Sequence, residues 1–348
     1  MLAMAAPSEL RSRRQASGLT QAQLAQRAGV SRQLVAAVEA GRNVPAVDAA
    51  LALAAALGCT AEDLFGALGP ERPVCAALTG ELHDGEPVRV GRVSDALVAA
   101  PLGDHGVAGT GWATADGIVR AGRLELFAGA APAGLVLAGC EPALAVVERL
   151  LAGLGERSLL AVSGSTGAAL EALKAGRVHG AVVHGPPRSL PAAPASVLRW
   201  HFARWQVGLG SAARTGAATV ESLLTGSTPI AQRERGAASQ QALDRARRRA
   251  GVATAPAGPV ASGHLEAART AAALGCAALT TEGAARAFGL QFLALEEHAV
   301  ELWVDRRWAR HPGLQAVGEL LRSRGFQQRV QRLGGYDLTG CGDAVAGV

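Results

Sequence analysis

Apolar residues recur at spacings of three and four through residues 8–66, with polar residues between them, and this pattern predicts a helical domain. Leu24 and Ala25 open the inward face of one helix; Val35 and Val38 supply that of the next. Further helices are predicted over Val47–Leu57 and Ala61–Phe65. Residues 67–133 change character: Gly, Pro and Val in short alternating runs predict a linker or small β-containing segment. Residues 134–345 then alternate short apolar runs with Ala- and Leu-rich helical patterns, the signature of an α/β fold with a mostly parallel sheet covered by helices. Strands are predicted at Leu159–Val162, Val178–Val183, Ala277–Leu279 and Glu301–Arg306. Helices are predicted at Ala143–Leu154, Ala168–Ala175, Ser239–Ala250, Leu265–Ala273 and Leu314–Ser323. Gly208–Thr219 and Gly251–Gly258 read as loops, and the basic run Arg245–Arg249 as a solvated helix face.

Local chemistry sharpens the first domain. Thr20, with Gln23 three residues on, reads as an N-cap with a capping box. Gly29 supplies the left-handed residue that ends the helix, Ser31 caps the next helix, and Gly41 closes it. Two short helices joined by a tight turn make a helix-turn-helix. From Glu9 to Arg42 there are six arginines (11, 13, 14, 27, 32 and 42) against Glu9 and Glu39, a local surplus suited to phosphate. The second helix presents Arg32, Gln33, Ala36 and Ala37 outward, and Arg and Gln are the side chains that pair with guanine and adenine edges in the major groove. Gln21, at the start of the first of these helices, and Arg42 and Asn43, after the second, are placed to meet phosphates.

Whole-chain numbers constrain the rest. The chain has 348 residues, 49% of them hydrophobic, and carries a formal charge of +5, with Lys174 its only lysine. That length suggests two or three domains. The five cysteines, Cys59, Cys75, Cys140, Cys276 and Cys341, include no CxxC pair, so neither a zinc site nor a disulfide framework is expected and no metal is assigned. With no secretory signal and no apolar run long enough for a membrane span, the expected location is cytoplasmic, without a membrane partner.

In the α/β half, loops that follow predicted strands gather polar groups. Gly139-Cys140-Glu141-Pro142 leads into a helix, Ser163-Gly164-Ser165-Thr166-Gly167 is a hydroxyl loop, and the strand Val178–Val183 runs into His184. Free backbone N–H groups at such helix starts, flanked by hydroxyls, seat anions. Further along stand Arg233 and Ser239, then His264, then Thr281, each beside a predicted helix start. The candidate ligand-binding residues are therefore Cys140, Glu141, Ser163, Ser165, Thr166, His184, Arg233, Ser239, His264 and Thr281.

Two families are resembled. The pattern TQxxLAxxAGVSRQxVxxxExG, from Thr20 to Gly41, resembles the Cro/C1-repressor (XRE) helix-turn-helix over about residues 9–66. That resemblance implies base reading by Arg32 and Gln33, helped by Ser31 and Ala37, with phosphate contacts from Gln21 and Arg42. GCEPAL, the SGST loop, GRVHGAVVHG, TPIAQRERGAASQQALD, SGHLEAARTAAALGCAAL and FLALEEHAVELWV together resemble the periplasmic-binding-protein-like domain of molybdate-type sensors and of regulators that join it to a helix-turn-helix. It implies two α/β lobes over residues 134–345, lobe I at about 134–222 and 304–345 and lobe II at about 226–303, with a ligand in the cleft.

The expected protein is a ligand-responsive transcription regulator. It would bind a double-stranded DNA operator as a homodimer and answer to a small-molecule effector, an oxyanion such as molybdate or an anionic metabolite, with no resident cofactor. Two alternatives stay open: a DNA-binding protein whose C-terminal domain is a ligand-free dimerisation module, and an enzyme or carrier with a DNA-binding head. No HExxH, GxSxG, Walker A or GxGxxG motif stands in a fitting context, so no catalytic residue is assigned.

Overall fold

In the computed structural model, residues 9–40, 42–43, 45–65, 74–78, 80–102, 115–127, 129–212 and 218–345 are described. Gly41 and residues 213–217 of the expected Gly208–Thr219 loop lie outside them. The chain forms two compact units, Met1–Arg72 and Pro73–Val348.

Five helices build the first unit: α1 (Glu9–Ala16), α2 (Gln21–Ala28), α3 (Arg32–Glu39), α4 (Val47–Leu57) and α5 (Ala61–Phe65). Their apolar faces meet in one core, where Leu10, Leu24, Val35, Leu53 and Leu64 are buried together. Small Ala25 and Ala28 on the inner face of α2 let neighbouring helices approach closely.

The second unit begins with β1 (Cys75–Ala76), β2 (Pro87–Val93), β3 (Ala96–Pro101), β4 (Gly117–Arg120) and β5 (Arg123–Leu126). These strands form a sheet of order β1-β3-β2-β4-β5. In the stretch expected as a linker or small β-containing segment, this sheet packs against the rest of the unit. Leu78, Val93 and Val98 share a core with Val136, Leu160 and Val183. Arg177 donates from Nη1 to the Leu78 carbonyl at 2.7 Å.

The larger sheet is built from β6 (Leu135–Ala138), β7 (Leu159–Val162), β8 (Gly180–Gly185), β9 (Val197–Ser211), β10 (Ile230–Arg233), β11 (Val260–Ala261), β12 (Ala277–Thr281), β13 (Gln291–Asp305) and β14 (Tyr336–Asp337). Its order is β11-β10-β12-β9-β13-β8-β6-β7, with β14 paired to β9. Parallel β6, β7 and β8 lie on one side and parallel β10, β11 and β12 on the other; β9 and β13 run antiparallel between them. Helices cover the faces: α6 (Leu144–Leu151), α7 (Thr166–Lys174), α8 (Val220–Thr225), α9 (Ala238–Arg249), α10 (His264–Leu274), α11 (Glu282–Ala287), α12 (Pro312–Arg322) and α13 (Arg324–Leu333).

β9 and β13 depart most from the sequence expectation. Each is fifteen residues long, whereas only the end of β13 was expected and Gly208 was assigned to a loop. The glycines that suggested a turn serve close packing. A Cβ at Gly208 would stand 2.2 Å from the Leu293 carbonyl oxygen, and one at Gly210 would lie 3.2 Å from Leu290 and 3.3 Å from Thr280. Gly in a strand often marks a close backbone approach rather than a break. Replacing Gly208 with Ala should therefore destabilise the second unit by about 1–3 kcal/mol, read as a lowered melting temperature with an unchanged first unit.

A buried imidazole fastens β6. His179 Nδ1 accepts the Val136 N–H at 3.0 Å. Burial, then the neighbouring His311, takes its pKa down to about 3. Its folded value lies below the unfolded value of about 6.5, so its contribution is complete above that pH and drains away as pH falls towards 3. The second unit should thus lose stability on acidification below about pH 6.5, and His179→Asn should flatten that slope in thermal melts taken across the range.

Candidate functional site

In the first unit, the expected caps form. Thr20 Oγ1 accepts the Gln23 N–H at 3.2 Å while Gln23 Oε1 accepts the Thr20 N–H at 2.9 Å, and Gly29 adopts φ 65°. Ser31 Oγ accepts the Leu34 N–H at 3.1 Å and starts α3. With Val35 and Val38 turned inward, Ser31, Arg32 and Gln33 are exposed at the amino end of α3 and Ala37 is half-buried. Arg42 and Asn43 beyond it are exposed.

One pair in this unit was not foreseen. Glu39, treated in sequence only as a charge, is buried against Arg14, with Nε–Oε1 at 2.6 Å and Nη2–Oε2 at 3.1 Å. Arg14 Nη1 also donates to the Leu19 carbonyl at 2.6 Å, so one guanidinium ties α1 to α3 and to the residue before α2. Glu39 stands four residues after Val35, on the apolar spacing, and that position was the available signal. Gln21 Nε2 donates to Glu39 Oε2 at 2.8 Å; an amide nitrogen carries two N–H groups, and this bond uses one of them. Arg14 and Glu39 cancel, so the basic surplus rests on the other five arginines.

In the second unit nine of the ten expected ligand residues divide into two sets, and the tenth, Ser163, is half-buried in the lining of a pocket. Ser165, Thr166 and Glu141 are engaged in building the fold. Ser165 Oγ caps α7 through the Ala168 N–H at 3.3 Å, and Thr166 Oγ1 accepts the His184 N–H at 3.3 Å. The Glu141 carboxylate receives Tyr336 Oη–H at 2.6 Å, Trp205 Nε1–H at 2.7 Å and the Ala143 N–H at 2.8 Å. It braces β14 and β9 against the β6 loop. Burial pushes its pKa up against the pull of those donors.

Cys140, His184, Arg233, Ser239, His264 and Thr281 are all buried, and they stand at strand ends or first helical turns on the two sides of the central strands. Cys140 Sγ lies 2.7 Å from His184 Nε2. His184 Nδ1 lies 2.9 Å from His298 Nδ1, and His298 Nε2 lies 2.8 Å from Glu296 Oε1. Arg245 clasps Glu296 with both nitrogens, so it is not the solvated residue expected. One ligand atom each from Cys140, His184 and His264 falls within 4.8 Å of the others, which the cysteine spacing could not disclose. Trp205 packs on His184 and His264, at ring distances of 4.8 and 5.4 Å.

Several of these groups lack partners. Arg233 Nη1, Ser239 Oγ, Thr281 Oγ1 and both ring nitrogens of His264 make no hydrogen bond within the protein, although the residues are only 2%, 0%, 2% and 1% exposed respectively. Leaving a buried polar atom unmatched costs about 1–3 kcal/mol, so such a concentration marks a place where something else supplies the partners. Arg233 itself is held by the Ala261 and Ser262 carbonyls, at 3.0 and 2.7 Å. A pocket of about 720 Å³ reaches the cluster, lined in part by Gly139, Cys140, Ser163, Gly263 and His264. Ser163 Oγ would stand 3.1 Å from a Cβ at Gly263.

Electrostatics keeps the cluster neutral at its heart. Burial, and then the nearby Arg233, His184 and His298, hold the His264 pKa well below its usual range; burial and His298 do the same for His184. Burial pushes the Cys140 thiol up to about 11, against the pull of Arg233. Burial would raise Glu296, but hydrogen bonds from Arg245 and His298 win, and it is ionised.

Two family models match the chain. Residues 10–64 match the helix-turn-helix family of XRE type. The chain belongs to the PBP superfamily domain family, matched over residues 148–322, half of its length. Among solved structures, the restriction-modification controller protein C.AhdI from Aeromonas hydrophila is 38% identical, covering 16% of this chain and 86% of its own, with a TM-score of 0.16. The bromide-bound regulatory domain of HypT from Salmonella typhimurium is 11% identical over 58% of this chain and 94% of its own, TM-score 0.42. A reduced form of OxyR from N. meningitidis is 13% identical over 62% of this chain and 100% of its own, TM-score 0.39. No curated protein matches the chain. Among the described residues no helix is long and apolar enough to cross a membrane.

Burial alone would raise Glu39, but the bonds from Arg14 and Gln21 outweigh it and lower its pKa. A depressed carboxylate stabilises above its unfolded pKa, and that stabilisation is lost as pH falls through the folded value. Glu39→Gln should cost the first unit about 3 kcal/mol, because it strands a buried guanidinium. The variant's unfolding midpoint in denaturant should also respond less to acid than the parent's.

Proposed function

We propose that this chain is a ligand-responsive, DNA-binding transcription regulator that acts as a homodimer on paired half-sites. In this reading α3 enters the major groove. Arg32 and Gln33 read base edges, Ser31 and Ala37 line the same surface, and Gln21, Arg42 and Asn43 hold phosphates. A small effector occupies the cluster in the PBP-like domain and changes operator affinity by binding one conformation better than another. The observation that carries the effector site is the set of unmatched buried atoms on Arg233, Ser239, Thr281 and His264. Most are donors, and a guanidinium stands among them, which favours a ligand bearing an anionic oxygen group. Cys140, Ser163 and His184 complete its surroundings, while Glu141, Ser165 and Thr166 shape the loops that carry them.

A catalytic reading would use the Cys140–His184 pair as a nucleophile and its base. Burial pushes the Cys140 thiol up to about 11, the reverse of what an activated nucleophile requires, so binding is the better-supported role.

With operator DNA selected from random sequence, Arg32→Ala and Gln33→Ala should each weaken specific binding by about tenfold to a hundredfold, with melting temperature unchanged. Arg42→Ala should weaken binding to all sequences alike and reduce the salt slope by about one. Unaltered operator affinity in the Arg32, Gln33 double variant would remove the basis of the regulator reading. A thermal-shift screen of molybdate, sulfate and phosphate should find a stabilising anion, and Arg233→Gln should abolish that shift in a protein that still melts cooperatively.

A further inference from the structure

The anion-seeking groups account for one side of the cluster only. On the other side stand a thiol and two imidazoles, and their hydrogen-bonding directions can be worked out. Glu296, ionised and clasped by Arg245, is an acceptor, so the proton between it and His298 sits on His298 Nε2. An imidazole with a single N–H, spent on Glu296, presents a lone pair at His298 Nδ1. His184 Nδ1, 2.9 Å away, must then be the donor. With its own N–H given to His298, the His184 ring leaves Nε2 bare and directed at Cys140 Sγ, 2.7 Å away. The relay from Glu296 through His298 thus fixes one tautomer of His184 and aims a lone pair into the cluster. It does for this ring what a carboxylate or carbonyl does behind the histidine ligands of metal sites.

His264 supplies the independent sign of a missing ligand. Its ring is 1% exposed, and neither nitrogen has a partner. Together, Cys140 Sγ and the nearest nitrogens of His184 and His264 fall within 4.8 Å of each other. Around a tetrahedral zinc ion, with bonds of about 2.3 Å to sulfur and 2.0–2.1 Å to nitrogen, such donors stand about 3.4–3.6 Å apart. Small side-chain rotations suffice to reach that geometry.

We propose that Cys140, His184 and His264 form a binding site for a zinc-class divalent metal ion, with a fourth coordination position left for an anion or water. This deepens the effector reading and rests on the same cluster. Binding replaces the Cys140 S–H proton with the metal and releases that proton to solvent. The thiolate offsets half of the added charge, and an anion in the fourth position, drawn there by Arg233, would offset the rest. The soft sulfur and two imidazoles favour zinc, cobalt or copper over magnesium or calcium, which seek oxygen. Cys140 and His184 stand with strands β6–β8 and His264 with β10–β12, so the ion would join the two sides of the sheet.

The test uses the full-length chain, stripped with a chelator and titrated with Zn²⁺ in competition with a chromophoric chelator, and separately with Co²⁺. The expected result is one tight ion per chain and, with Co²⁺, a thiolate-to-cobalt charge-transfer band beside the visible bands of tetrahedral coordination. Cys140→Ser should lose the charge-transfer band, and His264→Gln should weaken Zn²⁺ affinity by at least tenfold. His298→Asn, a change behind the ligand, should weaken it by about tenfold to a hundredfold while the thiolate band persists. Cys341→Ser should leave both measurements unchanged. Absence of a thiolate band in the parent protein overturns the proposal whether or not any variant folds, and so does a band that survives Cys140→Ser. Metal binding by a protein that selects no operator from random sequence would overturn the regulator reading and not this site; operator binding and an anion-induced thermal shift without metal binding would do the reverse.

Discussion

The antiparallel pairing of β9 with β13 is the constraint on which the second unit depends. Fourteen residue pairs run from Gln291 with Ser211 to Asp305 with Val197, through register shifts at Ala294/Glu296 and Val300/Glu301. Among the described residues, these two strands are what joins β6–β8 to β10–β12 in the sheet. Their buried face is apolar, with Phe202, Val207, Leu209, Val300 and Leu302 in one core. Polar residues on the pair are satisfied across it: Arg199 clasps Glu301 at 2.7 Å through two nitrogens, and Trp303 Nε1 donates to the same carboxylate at 2.8 Å.

That pairing also explains what the sequence concealed. The run from Val197 to Ser211 carries two arginines, a histidine and two glycines, a composition that suggests surface and turn. Its charges are matched only by residues about a hundred positions away, so local pattern undervalues it as a central strand. The parallel strands were easier to read, because burial on both faces leaves near-continuous apolar runs, and Leu159–Val162 was expected with its observed limits. In the first unit nearly everything was legible. Helix caps, the left-handed Gly29 and the inward spacing of Leu24, Val35 and Val38 are local signals, and α4 and α5 have the expected bounds.

Candidate site residues were legible one by one but not as a constellation. Loops after strands flagged Cys140, His184, Arg233, His264 and Thr281, since the ends of parallel strands gather along one edge of a sheet. Cys140 and His184 are 44 residues apart, and no short motif records their contact. Nor does sequence separate a hydroxyl that caps a helix, such as Ser165, from one left without a partner, such as Ser239. His298 and Glu296 were missed altogether, lying on the unrecognised half of β13.

The placement of that last pair has a mechanical meaning. Glu296 and His298 sit on the strand that links the two halves of the sheet, directly beside its first register shift, while the ring they orient belongs to β8. The contact between the two imidazoles therefore holds only while β8 and β13 keep their present register. The backbone that joins the two halves of the sheet is therefore also the one that carries the groups orienting His184.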